Sequence, residues 1–197
     1  ILGAMDQAPP GAPVNYYNGW ADELKIWNIA LSVEHIRQMM NQEIDELGTD
    51  VGGVQIPTKI YGVDTDNNGT EENPLLWNDL RAYYRMNIVC GDIAPFKKGV
   101  NGRLRNILTG QEQTAPLPYT TKGDGNWTDT SASTPWTYGN TVWDYPNSTG
   151  VNGVPIDWNI VKTSHNINSG NKDITILGLL SDTQDKLLTI ADPGQPL

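Results

Sequence analysis

The chain has 197 residues and 38% of them are hydrophobic, which is enough to bury one large core or two small ones. The chain contains 13 Lys and Arg and 23 Asp and Glu, so its net charge at pH 7 is −10. It contains a single cysteine, which excludes an internal disulfide. Because domains that bind nucleic acid usually carry basic clusters, this charge balance excludes DNA and RNA as partners.

The chain begins with Ile1-Leu2-Gly3-Ala4-Met5, a run that is typical of the interior of a strand, followed by the proline-rich turn Pro9–Pro13. The sequence contains no signal peptide, no initiator methionine and no apolar run long enough to span a membrane. We therefore expect this sequence to be a window from a longer protein.

The stretch 17–32 combines strand, turn and helix signals without a break. Leu24 and Ile26 alternate with Lys25, which predicts a strand. Ser32 can cap a helix that follows directly, because its hydroxyl can accept a hydrogen bond from the first turn. Helical spacing up to Gly48 predicts one helix over residues 33–47. Its apolar face would consist of Val33, Ile36, Met40, Ile44 and Leu47.

The acidic segment 64–72, Asp-Thr-Asp-Asn-Asn-Gly-Thr-Glu-Glu, matches part of the EF-type calcium loop, with Gly69 at the sharp turn. The predicted Ca²⁺ ligands are Asp64, Asp66 and Asn68, the Thr70 carbonyl, and Glu72 through a water molecule. Leu75 replaces the bidentate Glu of such loops, so the affinity would be weak unless a carboxylate such as Asp79 folds back. The alternative is a solvated acidic loop without a metal.

Residues 80–88 alternate strictly and predict a second strand. Residues 91–135 are rich in Gly, Thr, Pro and Asn, which predicts a linker or long loops with one possible strand at 102–108. In the last third, apolar runs start at intervals of 17, 16 and 13 residues, beginning at Thr141. Residues 136–197 are therefore predicted to start a second β-rich unit, either a solenoid, which we favour, or a small sandwich.

Seven Trp and eight Tyr stand against one Phe, a bias that is typical of half-exposed sheets and of surfaces on which sugars stack. Trp127, Trp136 and Trp143 lie in polar surroundings rich in Gly and Thr, so they are candidates for stacking on a glycan. The alternative is that these indole rings cover the thin cores of short strands, as most tryptophan rings do.

No set of residues with the chemistry of a catalytic site is found. Asp22 and Glu23 are adjacent on a strand and point to opposite faces, which argues against a paired-carboxylate glycosidase. We expect them to bond to loops or to nearby cations such as Lys25. His35 and His165 have no third ligand nearby for zinc. The sequence also lacks a nucleophile elbow, a P-loop and a dinucleotide fingerprint, so we predict no enzymatic activity.

The run Gly19-Trp20-Ala21-Asp22-Glu23-Leu24-Lys25-Ile26-Trp27-Asn28, continued by Ala30-Leu31-Ser32 and Ile36, resembles the C-terminal signature of laminin-G-like (concanavalin-like) jelly-roll modules. The resemblance implies that residues 1–90 are the C-terminal part of such a module. It therefore implies a mainly β fold, with a partial jelly-roll sandwich and one short helix, in which the earlier strands are supplied from elsewhere.

Segments at 83–87, 100–104 and 158–167 are similar to those that follow such modules in giant surface proteins of gliding, Flavobacterium-type bacteria (Bacteroidota). Those proteins are exported by the type IX secretion system. The resemblance implies a non-catalytic, secreted cell-surface segment for adhesion and gliding motility. Its partners would be surface glycans or other cell-surface proteins. It would also contact components of the secretion machinery when it is exported as their cargo. The alternatives are a carbohydrate-binding accessory region of an extracellular glycoside hydrolase or lyase, and a purely structural spacer.

Overall fold

The structure is a computed structural model that describes residues 14–19, 21–87, 91–104, 117–139 and 141–190. Within these ranges the chain is mainly β, with one short α-helix and several small sheets, which confirms the predicted fold class. The strand predicted at the start of the chain, the proline-rich turn and Cys90 lie outside the described residues.

The strands are short throughout. In chain order they are β1 (Leu24–Trp27), β2 (Ile44–Leu47), β3 (Asp50–Gly53), β4 (Leu80–Tyr84), β5 (Ile93–Ala94), β6 (Gly102–Arg103), β7 (Tyr119–Thr121), β8 (Gly125–Asn126), β9 (Trp136–Tyr138), β10 (Thr141–Val142), β11 (Ile160–Thr163), β12 (Ile167–Asn168), β13 (Gly178–Ser181) and β14 (Leu188–Thr189). The helix is α1 (Val33–Met39), and 3₁₀ turns occupy Trp77–Asp79, Ser131–Ser133 and Val151–Gly153. Strands this short depend on packing with neighbours, because each forms few backbone hydrogen bonds.

The described residues fall into two compact units, each assembled from two separate parts of the chain. Unit 1 draws on Ile1–Ile26 and Arg81–Gln113, and unit 2 draws on Trp27–Leu80 and Thr114–Leu197. The predicted boundaries near residues 90 and 135 instead divide the chain consecutively.

In unit 1, β1 pairs with β4, so the strand predicted at 80–88 is found over its first five residues. Tyr83 is fully buried, and its hydroxyl donates to the Glu23 carboxylate at 2.5 Å. Lys25 Nζ lies 2.7 Å from the same carboxylate, and its ammonium group lies 4.8 Å from the centre of the Tyr83 ring. Glu23 therefore pairs with a neighbouring cation, as the sequence predicted, and in addition accepts a hydrogen bond from a buried tyrosine.

The helix is shorter than predicted. α1 ends at Met39, and the residues predicted as its second half form the hairpin of β2 and β3 instead, with Leu47 opposite Asp50. Gly48 stands in the hairpin turn with a φ of +67°. A glycine with positive φ fits both the end of a helix and a two-residue turn, so its presence did not distinguish the two. The predicted N-cap is confirmed, because the Ser32 hydroxyl accepts a hydrogen bond from His35 N.

The predicted apolar face of the helix is wrong. Val33 and Ile36 are exposed, whereas His35, Gln38 and Met39 are buried. The buried polar side chains bond to the main chain of other segments, as buried polar groups generally do. Gln38 Oε1, for example, accepts a hydrogen bond from Val151 N at 3.3 Å. Polar contacts thus fix the position of α1 in unit 2.

The later part of unit 2 is a stack of parallel strands. β7, β11 and β13 are neighbours in one sheet, β8, β12 and β14 are neighbours in another, and these neighbours pair in parallel. The chain therefore passes three times through the same two sheets, and we call the passes the first coil (119–126), the second coil (160–168) and the third coil (178–189). This arrangement corresponds to the solenoid-like alternative, since small sandwiches are antiparallel. The first coil lies within the segment predicted as a linker.

The core of the stack is aromatic. Its buried members are Tyr119, Trp127, Trp136, Val161 and Ile167. The Trp127 and Trp136 rings meet edge to face, with their centres 4.9 Å apart. Both indole N–H groups donate to main-chain carbonyls, that of Trp127 to Pro146 and that of Trp136 to Trp127. The rings thus bury a large apolar area without leaving a polar atom unpaired.

Candidate functional site

The carboxylates of the acidic loop, which we define as residues 64–72, come together as the sequence predicted. Asp64, Asp66 and Glu72 each offer a carboxylate oxygen, and these oxygens lie within 4.8 Å of one another. Two ligands that bind one Ca²⁺ at about 2.4 Å each lie at most about 4.8 Å apart. The group can therefore hold a metal ion. Among the residues that the structure describes, it is the one cluster of His, Cys, Asp or Glu with such spacing.

Hydrogen bonds within the loop explain why this sequence turns here. Asp64 accepts from Asn68 N at 3.2 Å and from Gly69 N at 2.8 Å, so its carboxylate closes the turn. Gly69 has a φ of +84°, which only glycine adopts without strain. Glu72 accepts from Thr65 N at 2.9 Å, which brings the far end of the loop back to its start. Hydrogen bonds from the Thr65 side chain and, to a smaller extent, from its main-chain N–H lower the pKa of Glu72.

The remaining predicted ligands have other contacts. Asn68 donates its side-chain amide to Asp66 Oδ2 at 2.9 Å, and its amide oxygen accepts from Thr70 N at 2.7 Å. Asn68 and Thr70 therefore support the turn. Leu75 is buried, and Asp79 accepts from Leu76 N at 3.1 Å. The suggestion that Asp79 folds back to the loop is therefore not supported by its position.

A distant residue anchors the start of the acidic loop. Asn152, which lies 88 residues after Asp64 in the sequence, accepts from Asp64 N at 3.0 Å through its side-chain oxygen. Its side-chain amide donates to the Gly62 carbonyl at 2.9 Å. Asn152 has a φ of +53°, so the 3₁₀ turn holds it in a conformation that few residues other than glycine and asparagine adopt. The loop is therefore attached to the rest of unit 2 on both sides of Val63.

An ion pair supports the same segment from the other side. Lys59 Nζ lies 2.6 Å from Glu71 Oε1 and 3.5 Å from Asp50 Oδ2. The hydrogen bond to Glu71 raises the pKa of Lys59 above its ordinary value. Glu71 also accepts from Gly62 N at 2.8 Å. Glu71 is therefore bound to a cation and an amide, which leaves Asp64, Asp66 and Glu72 as the carboxylates that face one another.

A shallow cleft of about 230 Å³ lies beside the acidic loop. Its lining consists of Ser32, Glu34, Val63, Asp64, Val151 and Asn152. None of these six lining residues is aromatic.

The tryptophans predicted to stack on glycans are mostly in the core. Trp127 and Trp136 are 0% exposed, and their rings cover each other. Both assignments to a glycan surface are thus wrong, because neither ring offers a face to a ligand, and the alternative of a covered core is correct for these two. Trp143 is half-buried at the edge of the same core, so its role in stacking stays a prediction.

No protein-family model matches the chain, and no curated protein or solved structure is significantly similar to it. No helix within the described ranges is both long and apolar enough to cross a membrane. The arguments about function below therefore start from the contacts and charges of the chain itself.

Proposed function

We propose that this chain is a non-catalytic segment of a secreted, adhesin-like cell-surface protein, and that its acidic loop binds Ca²⁺. The observation that carries the metal site is the convergence of Asp64, Asp66 and Glu72 within 4.8 Å. The stack of parallel coils supports a structural or adhesive role, because such arrays are extended scaffolds. The resemblance to laminin-G-like modules supports the cell-surface setting. The similarity of segments 83–87, 100–104 and 158–167 to giant surface proteins of gliding bacteria supports export as cargo of the type IX secretion system.

Calcium fits the donor set better than other common cations. The donors are oxygens only, which favours a hard cation over zinc or copper. Mg²⁺ requires a nearly ideal octahedron, whereas Ca²⁺ accepts irregular sites built by a flexible loop. Because the loop lacks the bidentate Glu, we expect a dissociation constant of about 10⁻⁴–10⁻³ M, as in extracellular modules. Such an affinity suits a compartment in which calcium is abundant.

The purely structural spacer is the second candidate. The burial of Trp127 and Trp136 favours it, because it removes two of the three rings predicted to contact a glycan. It also weakens the third possibility, the carbohydrate-binding accessory region of a glycoside hydrolase or lyase. Of the three rings predicted to contact a glycan, Trp143 remains a candidate.

The test of the metal site is calorimetric titration of the full chain with CaCl₂ after treatment with a chelator. We expect one binding event in the wild type and its loss in Asp66→Ala. Asp185→Ala is the matched control, since it removes an exposed carboxylate far along the sequence from the acidic loop. Absence of heat together with an unchanged melting temperature in millimolar CaCl₂ would remove calcium from the proposal.

The adhesive role is tested separately from the metal. The chain is applied to a glycan array and to immobilised cell-surface proteins, in CaCl₂ and in EDTA. Reproducible binding that Trp143→Ala abolishes would support a glycan contact. Absence of binding under both conditions, with calcium still bound, would leave the structural spacer as the function.

A further inference from the structure

The third coil ends the stack with an uncovered edge in each sheet. β13 pairs with β11 on one side, and among the described residues no strand lies on its other side. β14 is likewise the last strand of its own sheet. Monomeric proteins rarely expose many large apolar side chains at one place unless that surface has a partner. At this end of the stack five such side chains are exposed, namely Leu177, Leu179, Leu180, Leu187 and Ile190.

β13 lacks the features that normally keep an edge strand from pairing with another chain. Such features are charged side chains, prolines and bulges. The run 174–181 contains no charged residue and no proline, and the register of β13 with β11 is unbroken over its four residues. The adjoining Asp182 is paired with Lys162. In a chain whose net charge is −10, two copies can therefore meet along this strand without facing like charges within it.

The register of the parallel strands shows which face of β13 each leucine occupies. Leu179 is aligned with Val161, which is aligned in turn with Tyr119, and both of these residues are buried in the core of the stack. Leu179 therefore lies on the face of the sheet that covers the core. Leu180 is aligned with Lys162 and lies on the opposite face, because successive side chains of a strand alternate. Leu179 is exposed because it is the last member of a core column that nothing covers.

The sequence of β13 is complementary to itself when it is reversed about Leu179. A two-fold axis through this residue, perpendicular to the sheet, would place a second β13 antiparallel to the first and keep the core-facing sides together. Leu179 would then lie opposite its own copy and extend the core column. Gly178 would lie opposite Leu180, and Leu177 opposite Ser181, so each of these leucines would face a small residue. Side chains that lie directly opposite each other are the pairs that stabilise an antiparallel sheet.

We propose that the outer edge of β13 is a homodimer interface, where a second copy of this chain adds its own β13 in antiparallel orientation across a two-fold axis at Leu179. Because the same surface is used by both copies, the contact closes with two chains and does not produce a fibre. A four-residue edge covers less than the roughly 800 Å² per partner of standard interfaces, so the dimer is weak and the dilute chain is monomeric. The interface does not include the acidic loop and does not depend on calcium.

The first test is sedimentation velocity of the full chain in EDTA, from about 5 to about 500 µM. We expect the mass to rise from one chain to two, with a dissociation constant on the order of 100 µM. Val142→Lys is the matched control, because Val142 is 49% exposed, like Leu179, but lies in β10 at the other edge of the same sheet. This variant should associate like the wild type. A wild type that stays monomeric or grows beyond two chains, or loss of association in Val142→Lys, would overturn the proposal.

A charge exchange tests whether Leu179 meets its own copy. In Leu179→Lys and in Leu179→Glu, like charges would face each other across the axis, so each variant alone should associate about tenfold or more weakly than the wild type. An equimolar mixture should form the mixed dimer at concentrations where each variant alone is monomeric. A mixture that stays monomeric would overturn the two-fold contact at Leu179.

Hydrogen exchange keeps the proposal testable if circular dichroism shows that either variant is unfolded. In the wild type, the slowest amide of Gly178–Ser181 should exchange about threefold more slowly at 500 µM than at 5 µM, because the second copy covers this edge. Equal exchange rates at the two concentrations would overturn the interface.

Discussion

The second and third coils of the stack have similar apolar strands but bury them to very different extents. Val161 in the second coil is 0% exposed, whereas Leu179, its partner in the third coil, is 49% exposed. The second coil has a parallel strand on both sides, β7 and β13 in one sheet and β8 and β14 in the other. The third coil has a described neighbour on one side only. Position in the stack therefore decides burial, and apolar character alone does not.

The largest effect is expected for Trp127→Ala. This ring fills the core between the first two coils and donates its N–H to Pro146. Loss of such a side chain should reduce the free energy of unfolding by about 3–5 kcal/mol. Chemical denaturation monitored by circular dichroism measures this loss. If Trp127→Ala cost no more than the exposed control Leu187→Ala, the tryptophan cluster would not be the core of the stack.

A matched pair of aliphatic substitutions sharpens the comparison between the coils. Ile167→Ala in the second coil should cost about 2–5 kcal/mol, because it leaves a cavity in the core. Leu180→Ala in the third coil should change stability by about 0.5 kcal/mol or less, because that side chain is 52% exposed. Equal costs for the two substitutions would mean that the third coil is covered in solution.

Asn166 joins all three coils through its side chain. Its amide donates to Asp124 Oδ2 at 3.2 Å, and its side-chain oxygen accepts from Leu187 N at 3.1 Å. Asn166→Ala should therefore reduce the free energy of unfolding by about 1 kcal/mol. Hydrogen exchange of the Leu187 amide should accelerate in the same variant. Leu187→Ala is the control, since it keeps that amide and removes only an exposed side chain.

The smallest effect is expected at the exposed edge of the third coil. Asp182 accepts from Lys162 at 2.8 Å and from Ser164 at 2.6 Å, and these hydrogen bonds lower its pKa below the ordinary 3.8. Its contribution is present above pH 3.8 and is lost as the pH falls towards the lowered pKa. Asp182→Asn should therefore make the melting temperature slightly less sensitive to pH between 5 and 2. An unchanged pH profile would mean that the third coil is not held by this contact.

Hydrophobic spacing predicted part of the stack but not its first coil. The runs that begin at Trp158 and Ile174, 16 residues apart, lead into the paired strands β11 and β13, so this interval reports a real repeat. The run at Leu187 leads into β14, which belongs to the same third coil as β13. The first coil carries Tyr119 and several threonines among glycines, a composition that is equally typical of loops. Its partner strand begins 41 residues later, at Ile160, because the hairpin of β9 and β10 and two 3₁₀ turns lie between them. No local sequence pattern predicts the pairing of two strands that are so far apart in the chain.

The candidate metal site shows the same division between local and distant signals. The alternation of acids around Gly69 predicted the carboxylates that converge, because a tight turn brings alternate side chains to one side. The contact of Asn152 with the acidic loop could not be predicted, since the fold brings together residues that are far apart in the sequence.

The predicted end of the helix was wrong for a related reason. Ile44 and Leu47 have helical spacing from Val33, and only their pairing with β3 shows that they belong to a strand.

The antiparallel strand β9 covers one edge of the parallel strands in its sheet. It occupies the edge of β7 with Tyr138 opposite Tyr119, and its own outer edge is taken by β10. A strand that runs antiparallel cannot begin another parallel coil on that side. Within the described residues, the sheet that contains β7 can therefore accept a further parallel strand only next to Gly178–Ser181.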